Sequence, residues 1–125
     1  AVYRWPYTPG DTTSFPVGGY SAADAETVIN NINTGGVGTA GGYAHRTRTM
    51  TFDEQGRFYV QIGSQGNVDY SSFRARVRRF NDISNANLPI DYTSGELFAD
   101  GLRNTVGLAW DRHGMLWGVD NGGDL

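Results

Sequence analysis

His45 is the residue whose type and position best suit proton transfer. It is one of two histidines in the chain, and it follows a glycine-rich run at residues 33–42. An imidazole changes its protonation near neutral pH, so it can accept a proton from a bound hydroxyl group. A histidine that precedes a strand is more often a structural hydrogen-bonding group, and the residue alone does not decide between the two roles.

Two other segments contain neighbouring residues that could take part in binding. Arg103 and Asn104 stand side by side, and the planar fork of an arginine can bind two oxygen atoms at once. The alternative is that this pair closes a turn before a strand at residues 106–110. Gly122 and Gly123 form a second pair, which by itself predicts an ordinary turn.

Two further motifs do not predict a nucleotide or nucleic-acid site. Residues 36–41 spell G-x-G-x-x-G, but a dinucleotide site needs a helix directly after the glycines, and the residues that follow predict none. Arg74, Arg76 and Arg78 alternate, which would make one strand face basic. The net charge of -3 favours a solvated strand whose arginines pair with aspartates, so we expect no nucleic-acid partner.

The composition is that of one globular domain or a part of one. The 125 residues are 38% hydrophobic and 18% charged, all ten basic residues are arginine, and cysteine is absent. The last point excludes disulfides and thiolate metal sites. No apolar run approaches the roughly 20 residues that span a bilayer, and the first residues lack a signal-peptide profile. We therefore expect a soluble chain, with a processed product as one option, and no membrane partner.

An internal repeat with an offset of 58 residues organises the chain. Residues 50–60 align with residues 108–118, and in both copies an aromatic precedes Asp-x-x-Gly while a second aromatic follows three residues after the glycine. Asp can bond the backbone of its own turn and Gly can adopt positive φ, so each copy predicts a strand, a tight turn and a strand. A further strand is predicted at residues 76–80, followed by a turn-rich connection at residues 81–92.

This pattern predicts an all-β chain that forms part of a β-propeller. Residues 1–27 are interpreted as an irregular or edge segment with a short helical turn after Ser21, and residues 28–125 as two blade-like repeats. Strands that recur with a period above 50 residues are typical of propeller blades, and a ring needs at least about four blades. A chain of 125 residues supplies roughly two, so we expect it to be a fragment of a propeller.

Four segments carry a family resemblance when they are taken in order. They read HRTRTMTF at residues 45–52, GRFYVQIGSQGNVD at 56–69, GLRNTVGLAW at 101–110 and LWGVDNG at 116–122. Together they resemble the soluble glucose/sorbosone dehydrogenases, and among these the fungal pyranose dehydrogenase domains and the bacterial sorbosone dehydrogenases. Members of this family are six-bladed propellers that use pyrroloquinoline quinone (PQQ) and calcium.

The resemblance implies a quinoprotein that oxidises a hydroxyl of an aldose, pyranose or sorbosone by hydride transfer to PQQ. His45 matches the general base of the family. Arg103 and Asn104 match the pair that contacts the quinone, and Gly122 and Gly123 match positions whose carbonyls bind calcium.

The resemblance also implies substrate contacts and partners. Gln65 and Asp69 lie in the loop after the first repeat, where the family has polar groups near the substrate. The implied partners are a sugar and an external electron acceptor such as a cytochrome, and the implied location is secreted or periplasmic. The remaining blades would be needed to complete the site.

Two alternatives remain open from the sequence. The first is a non-catalytic propeller module whose groove binds a carbohydrate or a protein. The second is another propeller chemistry, such as metal-dependent lactone hydrolysis, which usually needs several carboxylates around the ion. Asp69 and Asp120 are available for this, but they do not form an evident cluster in the sequence.

Overall fold

Nine strands build the part of the chain that the computed structural model describes, namely residues 1–6, 9, 22–32, 45, 47–84 and 87–123. The strands are β1 (Val2–Arg4), β2 (Glu26–Asn30), β3 (Met50–Phe52), β4 (Phe58–Ile62), β5 (Arg76–Phe80), β6 (Ile90–Asp91), β7 (Glu96–Asp100), β8 (Thr105–Trp110) and β9 (Leu116–Asp120). Two short 3-10 turns occur at Ala22–Asp24 and Tyr92–Ser94. The predicted all-β fold is confirmed.

The strands form three sheets with the orders β1-β2-β6, β3-β4-β5-β7 and β8-β9. Neighbouring strands are antiparallel, except for the parallel pair β2 and β6 among those described. The middle sheet is a four-stranded meander, which is the arrangement of a complete propeller blade. The pair β8 and β9 repeats the first two strands of that blade.

The two copies of the internal repeat form the predicted hairpins. Gly56 and Gly114 both have positive φ, at 75° and 76°. In each turn the aspartate side chain, Asp53 or Asp111, accepts hydrogen bonds from the backbone N–H groups two and four residues later, at 2.8 to 3.0 Å. These bonds are local, so residue types at fixed spacing were sufficient to predict them.

The second aromatic of each copy completes the same hydrogen-bonding unit. Tyr59 donates from its hydroxyl to the second oxygen of the aspartate in its own turn at 3.0 Å. Trp117 donates from its indole to the equivalent oxygen at 2.9 Å. The aromatic spacing noted in the sequence therefore reflects a clamp between a turn and the strand that leaves it.

The structure also departs from the sequence-based strand prediction. Residues 76–80 form β5 as predicted. From the sequence, β7 was not predicted, because its apolar run is only three residues long and lies between Glu96 and Asp100 at the outer edge of its sheet. At the N-terminus, β1 is an edge strand that pairs with β2, and the predicted helical turn is present at Ala22–Asp24. Its Ser21 cap lies outside the described residues. The boundary predicted after residue 27 falls inside β2, and the two-part division stays a prediction.

The core lies between the first sheet and one face of the middle sheet. Phe58, Val60 and Ile62 alternate along β4 and pack against apolar side chains of β1 and β2. Tyr59 points to the opposite face, where its ring meets that of Trp110 on β8 at 5.1 Å between centroids. All five residues of β4 are therefore buried, because sheets cover both sides of the strand.

The strand register brings several loops to one end of these sheets. Ile62, Arg76 and Asp100 lie opposite one another at the ends of β4, β5 and β7. The Asp-x-x-Gly turns lie at the other end. The segment before β3, the β4–β5 loop, the β7–β8 loop and the residues after β9 all leave from the first end, which we call the loop end. The predicted site residues belong to these four segments.

We expect Gly95→Ala to lower the free energy of unfolding by about 1–3 kcal/mol through overpacking. A Cβ at Gly95 would lie 2.5 Å from Cζ of Phe80, which is itself buried. Gly107→Ala is the matched control, because a Cβ there meets nothing within 4 Å. Chemical denaturation of both variants measures the difference, and equal stabilities would contradict this packing.

Candidate functional site

His45 is held at the loop end by the residues that directly follow β4. Its backbone N–H donates to the carbonyl of Ser64 at 3.1 Å, and its Nδ1 lies 2.9 Å from the same oxygen. A carbonyl only accepts, so the neutral imidazole carries its proton on Nδ1 and keeps the lone pair on Nε2. In this state Nε2 is the ring nitrogen that can accept a proton.

The Gly63–Ser64 peptide joins His45 to the β7–β8 loop. The N–H of Ser64 donates to the carbonyl of Arg103 at 2.7 Å. A Cβ at Gly63 would lie 2.6 Å from Cβ of His45 and 2.9 Å from the oxygen of Arg103, so only glycine permits this approach. Neither Gly63 nor Ser64 was predicted as a site residue, because their roles depend on contacts between distant loops.

Arg103 lies where three loops meet. Its Nε donates to the side chain of Asn67 at 3.0 Å, and its Nη1 donates to the carbonyl of Asn121 at 3.1 Å. The β4–β5 loop and the residues after β9 are thereby tied to the β7–β8 loop. The predicted cofactor-binding arginine is thus part of a preorganised network as well as a cation at the loop end.

Asp120 fixes the backbone of the Arg103–Asn104 segment. Its carboxylate accepts from the N–H of Asn104 at 2.8 Å, from the N–H of Arg103 at 3.2 Å and from the hydroxyl of Thr105 at 2.9 Å. The side chain of Asn104 accepts from Thr47 at 2.8 Å, which links this loop to the segment of His45. From the sequence, Asp120 was only a possible metal ligand. The three contacts of its carboxylate instead give it a structural role.

The carboxylate of Asp69 makes its contacts within its own loop, between β4 and β5. Its carboxylate pairs with Arg74 at 2.5 Å and accepts from the N–H groups of Gln65 and Ser71 at 2.7 and 2.9 Å. Burial alone would raise the pKa of Asp69, but the hydrogen bonds from Arg74, Ser71 and Gln65 outweigh it and hold the pKa below its usual value. The carboxylate thus stays charged to orient the loop, while the predicted substrate contacts of Gln65 and Asp69 stay a prediction.

A cleft of about 460 Å³ opens beside this network. Its walls come from the β4–β5 and β7–β8 loops and include Ser64, Asn67, Tyr70, Arg76 and Arg103. The guanidinium groups of Arg76 and Arg103 and the amide of Asn67 are suitable donors for an anionic, oxygen-rich ring. The two carboxylates in the lining, Asp69 and Asp100, already pair with Arg74 and Arg76. The donor set therefore fits a quinone that carries carboxylates. An exposed aromatic at the rim, Tyr70, also suits contact with a flat ligand or a sugar.

The fit to calcium is only partial. Gly122 and Gly123 are exposed, and a Cβ at Gly122 would meet nothing within 4 Å. Calcium takes six to eight oxygen ligands, of which these two carbonyls are a minority. Within the described residues no group of three or more acidic, histidine or cysteine side chains could hold a metal ion. The carbonyl of Asn121, the residue before Gly122, already accepts a hydrogen bond from the guanidinium of Arg103.

Three alternating arginines, one just before β5 and two within it, have partners inside the protein. Arg74 is buried against Asp69, Arg76 pairs with Asp100 at 3.3 Å, and Arg78 lies over the ring of Tyr92 at 5.3 Å. The expected pairing of these arginines with acidic groups is therefore found for the first two, although Arg74 is buried and not solvated.

The remaining sequence motifs lie elsewhere. His113 is exposed in its hairpin turn at the opposite end from the loop end. Residues 36–41, which spell the glycine motif, lie outside the described residues. Where the chain is described, no helix has the length and apolar character to cross a membrane.

Comparison with known proteins gives the family of this chain. Residues 1–125 match the TrAA12-like family, and the chain belongs to that family. It is 27% identical to a pyrroloquinoline quinone-dependent pyranose dehydrogenase of Coprinopsis cinerea over 96% of this chain and 16% of that protein. The chain thus spans about a sixth of the length of this curated relative.

Two solved structures have folds similar to that of this chain. The iodide structure of Trichoderma reesei carbohydrate-active enzymes family AA12 has 27% identity and a TM-score of 0.64 over 83% of this chain and 26% of its own. The holo form of the pyranose dehydrogenase PQQ domain from Coprinopsis cinerea has 27% identity and a TM-score of 0.62 over 85% of this chain and 27% of its own. The propeller-type fold with about two blades is confirmed, while the six-bladed ring stays a prediction.

We expect Asp69→Asn to lower the free energy of unfolding at neutral pH by about 3 kcal/mol, because it leaves the buried Arg74 without its charged partner. Since folding lowers the pKa of Asp69, its stabilisation is present above the ordinary value of about 4 and is lost as the pH falls through the folded pKa. The difference between wild type and variant should therefore shrink in acid.

Denaturation curves at pH 7 and at a series of pH values below 4 measure this difference. Asp100→Asn is the control, because its pair with Arg76 is half exposed and should contribute less than about 1 kcal/mol. A similar loss of unfolding free energy in the two variants would contradict a charged and buried role for Asp69. So would a difference between wild type and Asp69→Asn that does not shrink as the pH falls.

Proposed function

We propose that this chain supplies part of the active site of a quinoprotein that oxidises a sugar hydroxyl with PQQ. The observation that carries the proposal is the meeting of His45 and Arg103 on the two sides of the Ser64 peptide, at 3.1 and 2.7 Å. In this proposal the proton acceptor and the carboxylate-binding cation are neighbours at the loop end, and Arg103 lines the polar cleft there. Membership of the TrAA12-like family and the similarity to a PQQ domain support the same function.

Each residue has a defined task in this proposal. Nε2 of His45 takes the proton of the sugar hydroxyl, because Nδ1 is engaged by the carbonyl of Ser64. Arg103 and the amide of Asn104 bind the quinone, and their loop is held in place by Asp120. When bound, PQQ would receive the hydride that leaves the sugar carbon, and calcium would draw charge from the quinone.

The chain contributes these groups to a larger site. The carbonyls of Gly122 and Gly123 would give calcium two oxygen ligands, and the remaining ligands would have to come from outside the described residues. The sugar, the external electron acceptor such as a cytochrome, and the secreted or periplasmic location stay predictions. The alternative of a carbohydrate- or protein-binding module has no separate observation in its favour.

We expect His45→Gln to lower kcat for sugar oxidation by about 10²–10⁴-fold, which is the usual contribution of a general base. PQQ binding should be unchanged, because the side chain acts on the sugar proton. Dye reduction and calorimetric titration of PQQ in the presence of calcium measure the two effects.

His113→Gln is the matched control, because His113 lies at the opposite end of the sheets and should affect neither measurement. Full activity of the His45→Gln variant would show that His45 is not the general base. Carbohydrate binding by the wild type without dye reduction, in a protein loaded with PQQ and calcium, would favour the binding module instead.

We expect Arg103→Lys to weaken PQQ binding by about 10- to 100-fold, because a lysine lacks the rigid fork that binds a carboxylate through two hydrogen bonds. Arg112→Lys is the control, since Arg112 is exposed in the hairpin turn away from the loop end. Calorimetric titration with calcium present compares the variants. An unchanged affinity in Arg103→Lys would contradict a direct contact between this residue and the quinone.

A further inference from the structure

We propose that Ser64 is a positioning residue that sets the tautomer of His45, an inference that rests on the proposed role of His45 as base. Ser64 is 2% exposed, and its backbone and its side chain both reach the imidazole. The carbonyl lies 2.9 Å and Oγ lies 3.2 Å from Nδ1 of His45. Two oxygens of one residue therefore surround a single ring nitrogen.

The direction of the hydroxyl follows from its second partner. Oγ of Ser64 donates to the carbonyl of Gly66, and this uses the one proton that a serine hydroxyl has. Only lone pairs of Oγ remain for His45. Nδ1 thus faces two acceptors, the carbonyl and Oγ, and a neutral ring satisfies both by holding its proton on Nδ1.

The consequence for the proposed reaction is specific. A ring with its proton on Nε2 would present a donor to the hydroxyl of the sugar and could not take its proton. The hydroxyl of Ser64 works against that form, because Nδ1 without its proton would face two oxygen lone pairs in a partly buried position. Ser64 acts through His45 and needs no contact with the sugar or the quinone.

The test is the tautomer ratio of His45 in the full-length protein, measured by ¹⁵N NMR with labelled histidine at a pH where the ring is neutral. The signals are assigned by subtraction of the His45→Gln spectrum. Wild type should show the proton predominantly on Nδ1. Ser64→Ala removes one of two acceptors, so the ratio of the Nδ1–H form to the Nε2–H form should fall by about fivefold.

Two further variants separate positioning from a purely structural role. Ser64→Thr keeps a hydroxyl and should restore the wild-type ratio, whereas Ser72→Ala, an exposed serine of the same loop, should leave it unchanged. In Ser64→Ala, kcat for sugar oxidation should fall by no more than the same fivefold factor, with KM unchanged. Circular dichroism and thermal unfolding monitor the fold of each variant.

An unchanged tautomer ratio in Ser64→Ala would overturn the inference, whatever happens to activity. So would a folded Ser64→Ala that loses far more activity than its tautomer shift explains. The proposed function fails differently. If the ratio shifts as expected while His45→Gln still oxidises sugars, Ser64 sets the tautomer of a histidine that is not the base.

Discussion

The loop end depends on a close approach of three backbone segments at Gly63. His45 comes from before β3, Ser64 follows β4, and Arg103 precedes β8, and their main chains meet through bonds of 3.1 and 2.7 Å. A side chain at residue 63 would occupy the space of both His45 and the Arg103 carbonyl. The proposed base and the proposed cofactor arginine therefore share one support, and a change at that peptide displaces both.

Arginine suits this architecture better than lysine would. Guanidinium groups of Arg48, Arg76, Arg78 and Arg103 donate to main-chain carbonyls of loops and turns. A fork of several N–H groups can serve two or three such acceptors at once, whereas an ammonium group presents a point charge. The absence of lysine thus agrees with a fold whose loops are held by multiple hydrogen bonds from one side chain.

Features formed by residues close in the sequence could be predicted, whereas contacts between distant segments could not. The turns at Asp53 and Asp111 were recognisable because each aspartate bonds its own turn. By contrast, β7 is an edge strand whose pairing depends on β5. The residues named from the family resemblance lie at the loop end, but their supports, Ser64 and Asp120, were not identified, because nothing within a few positions of either residue indicates its partners.

The repeated hairpins differ in one respect, the surroundings of the aromatic that clamps each turn. Tyr59 is fully buried and meets the rings of Phe98 and Trp110, whereas Trp117 is 65% exposed. The Tyr59 face of the first hairpin is covered by β7 and β8, which come later in the sequence, while its opposite face packs against β1 and β2. The first hairpin therefore reaches its full burial only after β8 has been synthesised.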